Sequence, residues 1–147
     1  MRAVNATTPR KELDSLLDTA MRLALRQVQA QGKHESFALG IDNAGEEINI
    51  GDDVPALLDP ETRHARISAQ VAAAIAAGQV RAVAVVRNIS LTHTPTGKQA
   101  DAVEVILDHR DDTAIRCYMP YQFSKGKFQT AQLVATAAAE RFFPTAS

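Results

Sequence analysis

The amino-acid sequence predicts an α+β fold in which one antiparallel sheet packs against two or three helices. Three runs with alternating apolar residues lie between Val80 and Met119 and are separated by two turns, which predicts a C-terminal three-strand meander. An N-terminal hairpin would add two strands, and two stretches carry apolar residues at helical spacing. A chain of 147 residues has the length of one domain, so we expect residues 1–147 to form a single α+β domain.

Composition narrows the class of protein. Hydrophobic residues make up 46% of the chain but aromatic residues only 5%, which predicts an aliphatic core and argues against an aromatic platform for stacking bases. The formal net charge of -1 provides no global attraction for nucleic acid or an anionic membrane. No signal peptide or membrane-spanning apolar run is evident. We therefore expect a cytoplasmic protein with no membrane partner, and we do not expect nucleic acid as its main partner.

The first helix is predicted from about Pro9 to Gln31. Thr8 is suited to the N-cap, and Pro9 is suited to the first helical position. Gly32 supplies a plausible stop. Apolar residues in between follow a single stripe, so this helix should pack one face on the sheet.

Two short alternating runs then predict the hairpin. Apolar residues alternate over 37–41 and over 48–50, and the residues of 42–45 favour a turn. The following stretch, 51–60, is expected to be irregular because two prolines interrupt any ladder. A second helix is predicted from Pro60 to about Ala77.

The meander is predicted to bury one face. One proposed register places Asp101 opposite His93, and the other places Val105 opposite Cys117. Both registers agree on the buried side, and they put the single cysteine in the core. The inward set is Val83, Val85, Ile89, Leu91, Val103, Val105, Leu107, Ile115, Cys117 and Met119, and the outer face carries Val86, Asn88, Ser90, Thr92, Glu104, Ile106, Asp108, Arg116 and Tyr118.

Arg87 breaks this alternation, because it falls at an inward position. Burying an unpaired guanidinium is too unfavourable to accept. We predict a β-bulge near Val86 or Arg87 that resets the phase, with an ion pair to an acidic residue as the alternative.

The C-terminal stretch of residues 128–142 allows two interpretations. Its apolar residues fit a helix, whereas KFQTAQLV fits a fourth meander strand. We favour the helix.

Several segments together resemble a group of small bacterial proteins of uncharacterised function. They are RAVAVV, DAVEVILDHRD, the pair Pro120 and Tyr121, and the terminal Arg141, Phe142 and Phe143. The resemblance covers about Phe37 to Phe143 and implies no activity. It favours the strand interpretation of Phe128 to Val134.

A polar turn formed by Asp108, His109, Asp111 and Asp112 is a candidate site. Carboxylates close to an imidazole would suit general acid or base chemistry, whereas charged turns ordinarily serve solvation. The sequence assigns no catalytic residue.

Metal and phosphate motifs are not supported. No two of His34, His64, His93 and His109 are three or four residues apart, so their spacing matches no zinc pattern and we assign no metal ligand. The segment PTGK lacks the earlier glycine and the following Ser or Thr of a phosphate loop. We expect no cofactor.

The candidate interaction surface combines the outer sheet face with the segment SKGK. Two lysines surround a glycine there, close to aromatic residues, which is the best local arrangement for an anion or nucleic acid. The surface consists of Arg87, Glu104, Arg116, Tyr118, Lys125 and Lys127.

Three functions follow, in order of preference. The first is a non-enzymatic module that binds a protein partner or forms a homodimer through the sheet or a strand edge, because an open sheet needs its edges paired or covered. The second is an enzyme or small-ligand protein with a pocket between helices and sheet or near the 108–112 turn. The third is weak nucleic-acid binding through the 124–127 loop.

Overall fold

The computed structural model describes residues 8–56, 58–93, 98–124, 126–139 and 141–144. These residues form one open antiparallel sheet with the strand order β2-β1-β3-β4-β5-β6, and β7 also pairs with β5. The α+β class is therefore confirmed. The elements are α1 (Pro9–Gln31), β1 (Phe37–Asp42), β2 (Glu47–Ile50), α2 (Pro60–Ala76), β3 (Val80–His93), β4 (Lys98–His109), β5 (Ile115–Ser124), β6 (Lys127–Thr130) and β7 (Val134–Ala137).

Both helices begin and end where their capping residues predict. The hydroxyl of Thr8 accepts a hydrogen bond from the Lys11 amide, and the carboxylate of Asp59 accepts one from the Thr62 amide. Gly32 follows α1 with φ 82°, a left-handed conformation that favours glycine.

The two helices pack on opposite faces of the sheet. The core beneath α1 includes Val86, Val103 and Val105, whereas the core beneath α2 includes Val83 and Val85. The predicted inward set is thus divided between two cores, and the prediction of one buried face is wrong for β3. Successive residues of β3 contact different helices, because neighbouring side chains of a strand point to opposite faces.

The register between β3 and β4 explains this error. Asp101 pairs with Ser90, three residues away from the predicted partner His93. A shift by an odd number exchanges the two faces of β3 relative to β4. The register between β4 and β5 is as predicted, with Val105 opposite Cys117. The sequence TPTGKQ, residues 94–99, predicts a loop between the first two strands of the meander. Lys98 and Gln99 belong to β4 instead, and residues 94–97 lie outside the described residues.

Arg87 lies in an unbroken ladder. The pairing of β3 with β4 is continuous from Ala82 to His93, so the bulge predicted near Arg87 is wrong. Arg87 instead pairs with Glu104, which was the alternative interpretation. An irregularity does occur in the β1–β3 ladder, where Asp42 pairs with Val80 and leaves Arg81 unpaired.

The C-terminal region forms strands, which contradicts the preferred helix. β6 pairs with residues 121–124 of β5, and β7 pairs with residues 115–118. The two short strands therefore lie end to end along the outer side of β5. Alanine favours helices in isolation, but here the backbone groups of β5 supply hydrogen-bond partners that override this preference.

Candidate functional site

Two side chains of the polar turn, Asp108 and His109, are buried and connect neighbouring segments of the fold. The ring of His109 is 2% exposed and its Nε2 lies 2.8 Å from Glu12 Oε1. The Asp111 amide donates to Nδ1 over 3.0 Å, so Nδ1 carries no proton and Nε2–H donates to Glu12. Glu12 also forms an ion pair with Arg81, whose Nε is 3.1 Å from both carboxylate oxygens. This network joins α1, β3 and β4.

Asp108 points the other way and holds the C-terminal segment. It is fully buried, and its Oδ1 accepts a hydrogen bond from Arg141 Nη2 over 2.8 Å. Its Oδ2 accepts from the amides of Phe142 and Phe143 over 2.7 and 3.0 Å. The carboxylate thereby fixes residues 141–143 against the core beneath α2, to which Phe143 belongs.

The four residues of the polar turn do not converge on one cavity. Asp111 is exposed, and Asp112 accepts from Arg141 through its main-chain oxygen over 2.7 Å. Asp108 and His109 are both buried and contact different elements. The geometry around this turn anchors neighbouring segments, and a catalytic role there stays a prediction.

Four residues of the candidate interaction surface form one connected cluster. Glu104 is 3% exposed, and its two oxygens accept from the Nε atoms of Arg87 and Arg116, each over 2.7 Å. The Arg116 guanidinium lies 4.7 Å from the centre of the Tyr118 ring. One carboxylate is thus shared by two guanidinium groups, which leaves the cluster with one excess positive charge.

The lysines of this surface are placed differently. Lys127 is exposed on β6, whereas Lys125 lies outside the described residues. Arg87 and Arg116 both direct Nε toward Glu104, so part of their charge is already neutralised. Nucleic-acid binding through the 124–127 loop stays a prediction.

The outer edge of the sheet, residues 127–137, is a candidate binding feature whose position the sequence interpretation did not locate. It carries one charged residue, Lys127, and no proline between there and residue 137. No other described strand pairs with its outer side. Side chains 135–137 are small and exposed. The signal was a long uncharged run, which the helix preference concealed.

The opposite edge is better protected. Glu46 precedes β2 and Glu47 is its first residue, so this edge carries two acidic side chains. The carboxylate of Glu47 accepts hydrogen bonds from Ser15 and Thr19 of α1 over 2.6 and 2.8 Å. Acidic side chains on an edge strand discourage pairing with another chain. The two edges of the sheet are therefore not equivalent.

A cleft of about 470 Å³ opens next to the first residue of β1. It is lined by residues 33–36, by the first turns of α2 and by Arg87 and Asn88 of β3. The β1–β3 ladder stops at the pair Phe37 and Val86, which leaves this part of β3 without a neighbour on that side among the described strands. The volume falls within the usual range of small-ligand sites.

His34 lies at this cleft and is 5% exposed. Burial lowers the pKa of its imidazole from 6.5, opposed in part by the hydrogen bond to the Glu35 carbonyl. Since a carbonyl can only accept, Nδ1 carries the proton in the neutral ring and donates to Glu35 over 3.2 Å. Nε2 is then an acceptor, and it is buried with no hydrogen-bond partner in the described part of the chain.

Two further groups have raised pKa values because they are buried. Burial raises the pKa of the Cys117 thiol, which agrees with the predicted position of this residue in the core. It also raises the pKa of Tyr121 to about 12, and the Tyr121 hydroxyl donates to Asn88 Oδ1 over 2.5 Å. Neither group is primed for nucleophilic chemistry at neutral pH.

The histidines do not assemble a metal centre in the described ranges. His34 and His64 line the cleft, whereas His109 is buried in the Glu12 network. Within residues 8–144, leaving out the gaps, no group of three or more His, Cys, Asp or Glu side chains could hold a metal ion.

Comparison with known proteins identifies no family. No family model, curated protein or solved structure matches the chain. The resemblance to small bacterial proteins stays a prediction. No helix among the described residues is long and apolar enough to cross a membrane.

Proposed function

We propose that the protein is a self-associating module that pairs with a second copy of itself along the outer edge, residues 127–137. The observation that carries the proposal is that β7 pairs only with β5 among the described strands, on an edge with one charge and no proline. An unprotected edge presents unpaired N–H and C=O groups that favour pairing with another strand.

A second copy is the occupant that best fits this edge. Two identical strands related by a two-fold axis run antiparallel, which is the pairing used throughout this sheet. Small side chains at positions 135 and 137 let two such strands approach without steric conflict. Pairing of this kind would continue one sheet through both subunits.

The cluster around Glu104 lies next to the proposed pairing edge. Arg116 pairs with Thr136, and Tyr118 pairs with Val134, so both side chains lie beside β7. In the paired state the cluster would border the interface. A polar rim next to a strand pair is a common arrangement in protein interfaces.

Sedimentation equilibrium of the Ala135→Lys variant tests the proposal. We expect the unaltered protein to form dimers at micromolar concentrations and Ala135→Lys to remain monomeric, because like charges would face each other across the edge. Ala72→Lys places the same charge on an exposed position of α2 and should preserve the dimer. A monomeric unaltered protein, or a dimer that persists in Ala135→Lys, would contradict edge pairing.

A further inference from the structure

Arg63 presents a positioned guanidinium to the cleft beside His34. Its Nε donates to the Ser36 carbonyl over 2.9 Å, and Nη1 donates to the Val54 carbonyl over 2.7 Å. These two bonds fix the plane of the group while Nη2 has no partner among the described side chains and backbone. An arginine held in this way has a free pair of donors that matches an oxyanion.

Arg87 adds a second guanidinium to the same cleft. Its Nε is held by Glu104, and its side chain is 45% exposed, so the terminal nitrogens can contact a ligand. Lys33 is a third basic residue of the lining, and Glu35 and Glu61 are its two acidic residues. The lining therefore has a net positive charge, to which the N-terminal end of α2 adds a favourable partial charge.

His34 supplies the third element of recognition. Its Nε2 is a buried acceptor with no described partner, a state that is unfavourable unless a donor reaches it. A hydroxyl group of a bound molecule is such a donor.

We propose that this cleft binds a small organic oxyanion, a carboxylate or a phosphate, that also carries a hydroxyl group. Arg63 and Arg87 bind the oxyanion, and Nε2 of His34 accepts from the hydroxyl. The cleft lies at the unpaired part of β3, whereas the outer edge lies beyond β5, so ligand binding is independent of self-association.

Isothermal titration with two pairs of probes tests this site. Malate and succinate differ by one hydroxyl on a dicarboxylate, and glycerol 3-phosphate and propyl phosphate differ by hydroxyls on a phosphate. We expect the hydroxylated member of one pair to bind about threefold to tenfold more tightly, the range of one neutral hydrogen bond. The pair that shows this preference tells whether the cleft binds a carboxylate or a phosphate.

Three variants assign the contacts. Arg87→Gln should weaken binding at least about tenfold, since it removes a charged donor. His34→Leu should abolish the preference for the hydroxylated probe while the other probe still binds. Arg66 is exposed on α2, the helix that carries Arg63, and lies outside the cleft lining. Arg66→Gln should therefore bind the probes within about twofold of the unaltered protein.

Circular dichroism of each variant separates loss of binding from loss of folding. Arg63→Gln is a second test of the oxyanion contact. Because Arg63 also donates to two carbonyls, this variant could lose its fold, and the test then depends on Arg87→Gln alone. Absence of saturable binding of all four probes at millimolar concentrations overturns the proposal. So does unchanged affinity in a folded Arg87→Gln, or a hydroxyl preference that survives His34→Leu.

Discussion

Glu12 shows how one carboxylate can join three elements. It lies on α1, is 6% exposed, and contacts Arg81 of β3 and His109 of β4. Without Glu12, Arg81 would lose its carboxylate partner and His109 Nε2–H would lose its acceptor. The sequence indicated His109 as a polar residue of interest, but its partner is 97 positions away along the chain, and no local pattern connects such residues.

We predict that Glu12→Ala lowers the free energy of unfolding by about 3 kcal/mol, because breaking a buried pair leaves its partners uncompensated. Urea unfolding followed by circular dichroism measures the change. Asp14→Ala is the matched control on the same helix. Its side chain is 66% exposed and its ion pair with Arg10 spans 3.8 Å, so we expect a loss below about 0.5 kcal/mol. Equal losses in the two variants would argue against the buried network.

Local patterns also identified some residues well. Cys117 was predicted in the core and is 2% exposed, because its place in the alternation of β5 is unambiguous. Arg87 was recognised as an exception to alternation, but the predicted remedy was wrong. An ion pair with Glu104 resolves the conflict without a bulge, and this partner depends on a register that the sequence does not specify.

At the level of elements, β3 is the strand whose environment the sequence interpretation mistook. Both of its faces are buried over residues 82–86, where no side chain is more than 1% exposed. A strand with a helix on each side is apolar on both faces, so alternation cannot fix its phase. The run AVAVV carried this signal. The helices α1 and α2 and the hairpin were predicted correctly because their caps and turns are local features.

The double burial of β3 makes a quantitative prediction. Val86→Ala should lower the free energy of unfolding by about 2 kcal/mol, as expected when two methyl groups are removed from a packed core. Val83→Ala, on the opposite face, should have a comparable effect. Val134→Ala, half-buried on β7, is the control and should lose less than about 1 kcal/mol. A loss below about 0.5 kcal/mol for Val86→Ala would argue against its burial and would agree with the outer-face position that alternation predicts for it.

For the whole molecule, the difference between the two edges of the sheet is the feature that bears on self-association. The sheet has one acidic edge in β2 and one almost uncharged edge in β6 and β7. Composition could not reveal this difference, because a net charge of -1 averages over the whole surface. The proposed pairing of the uncharged edge would make the stability of each chain depend on the concentration of the others.

We therefore predict that the midpoint of thermal unfolding rises with protein concentration. For a dimer that unfolds to monomers, a tenfold increase adds about 1.4 kcal/mol per dimer, or roughly 2 °C for chains of this size. Differential scanning calorimetry over a hundredfold range of concentration measures the slope. Ala72→Lys should retain this slope, whereas Ala135→Lys should unfold at one temperature throughout, since its edge no longer pairs. A midpoint that is constant for the unaltered protein would mean that the folded chain gains nothing from a second copy.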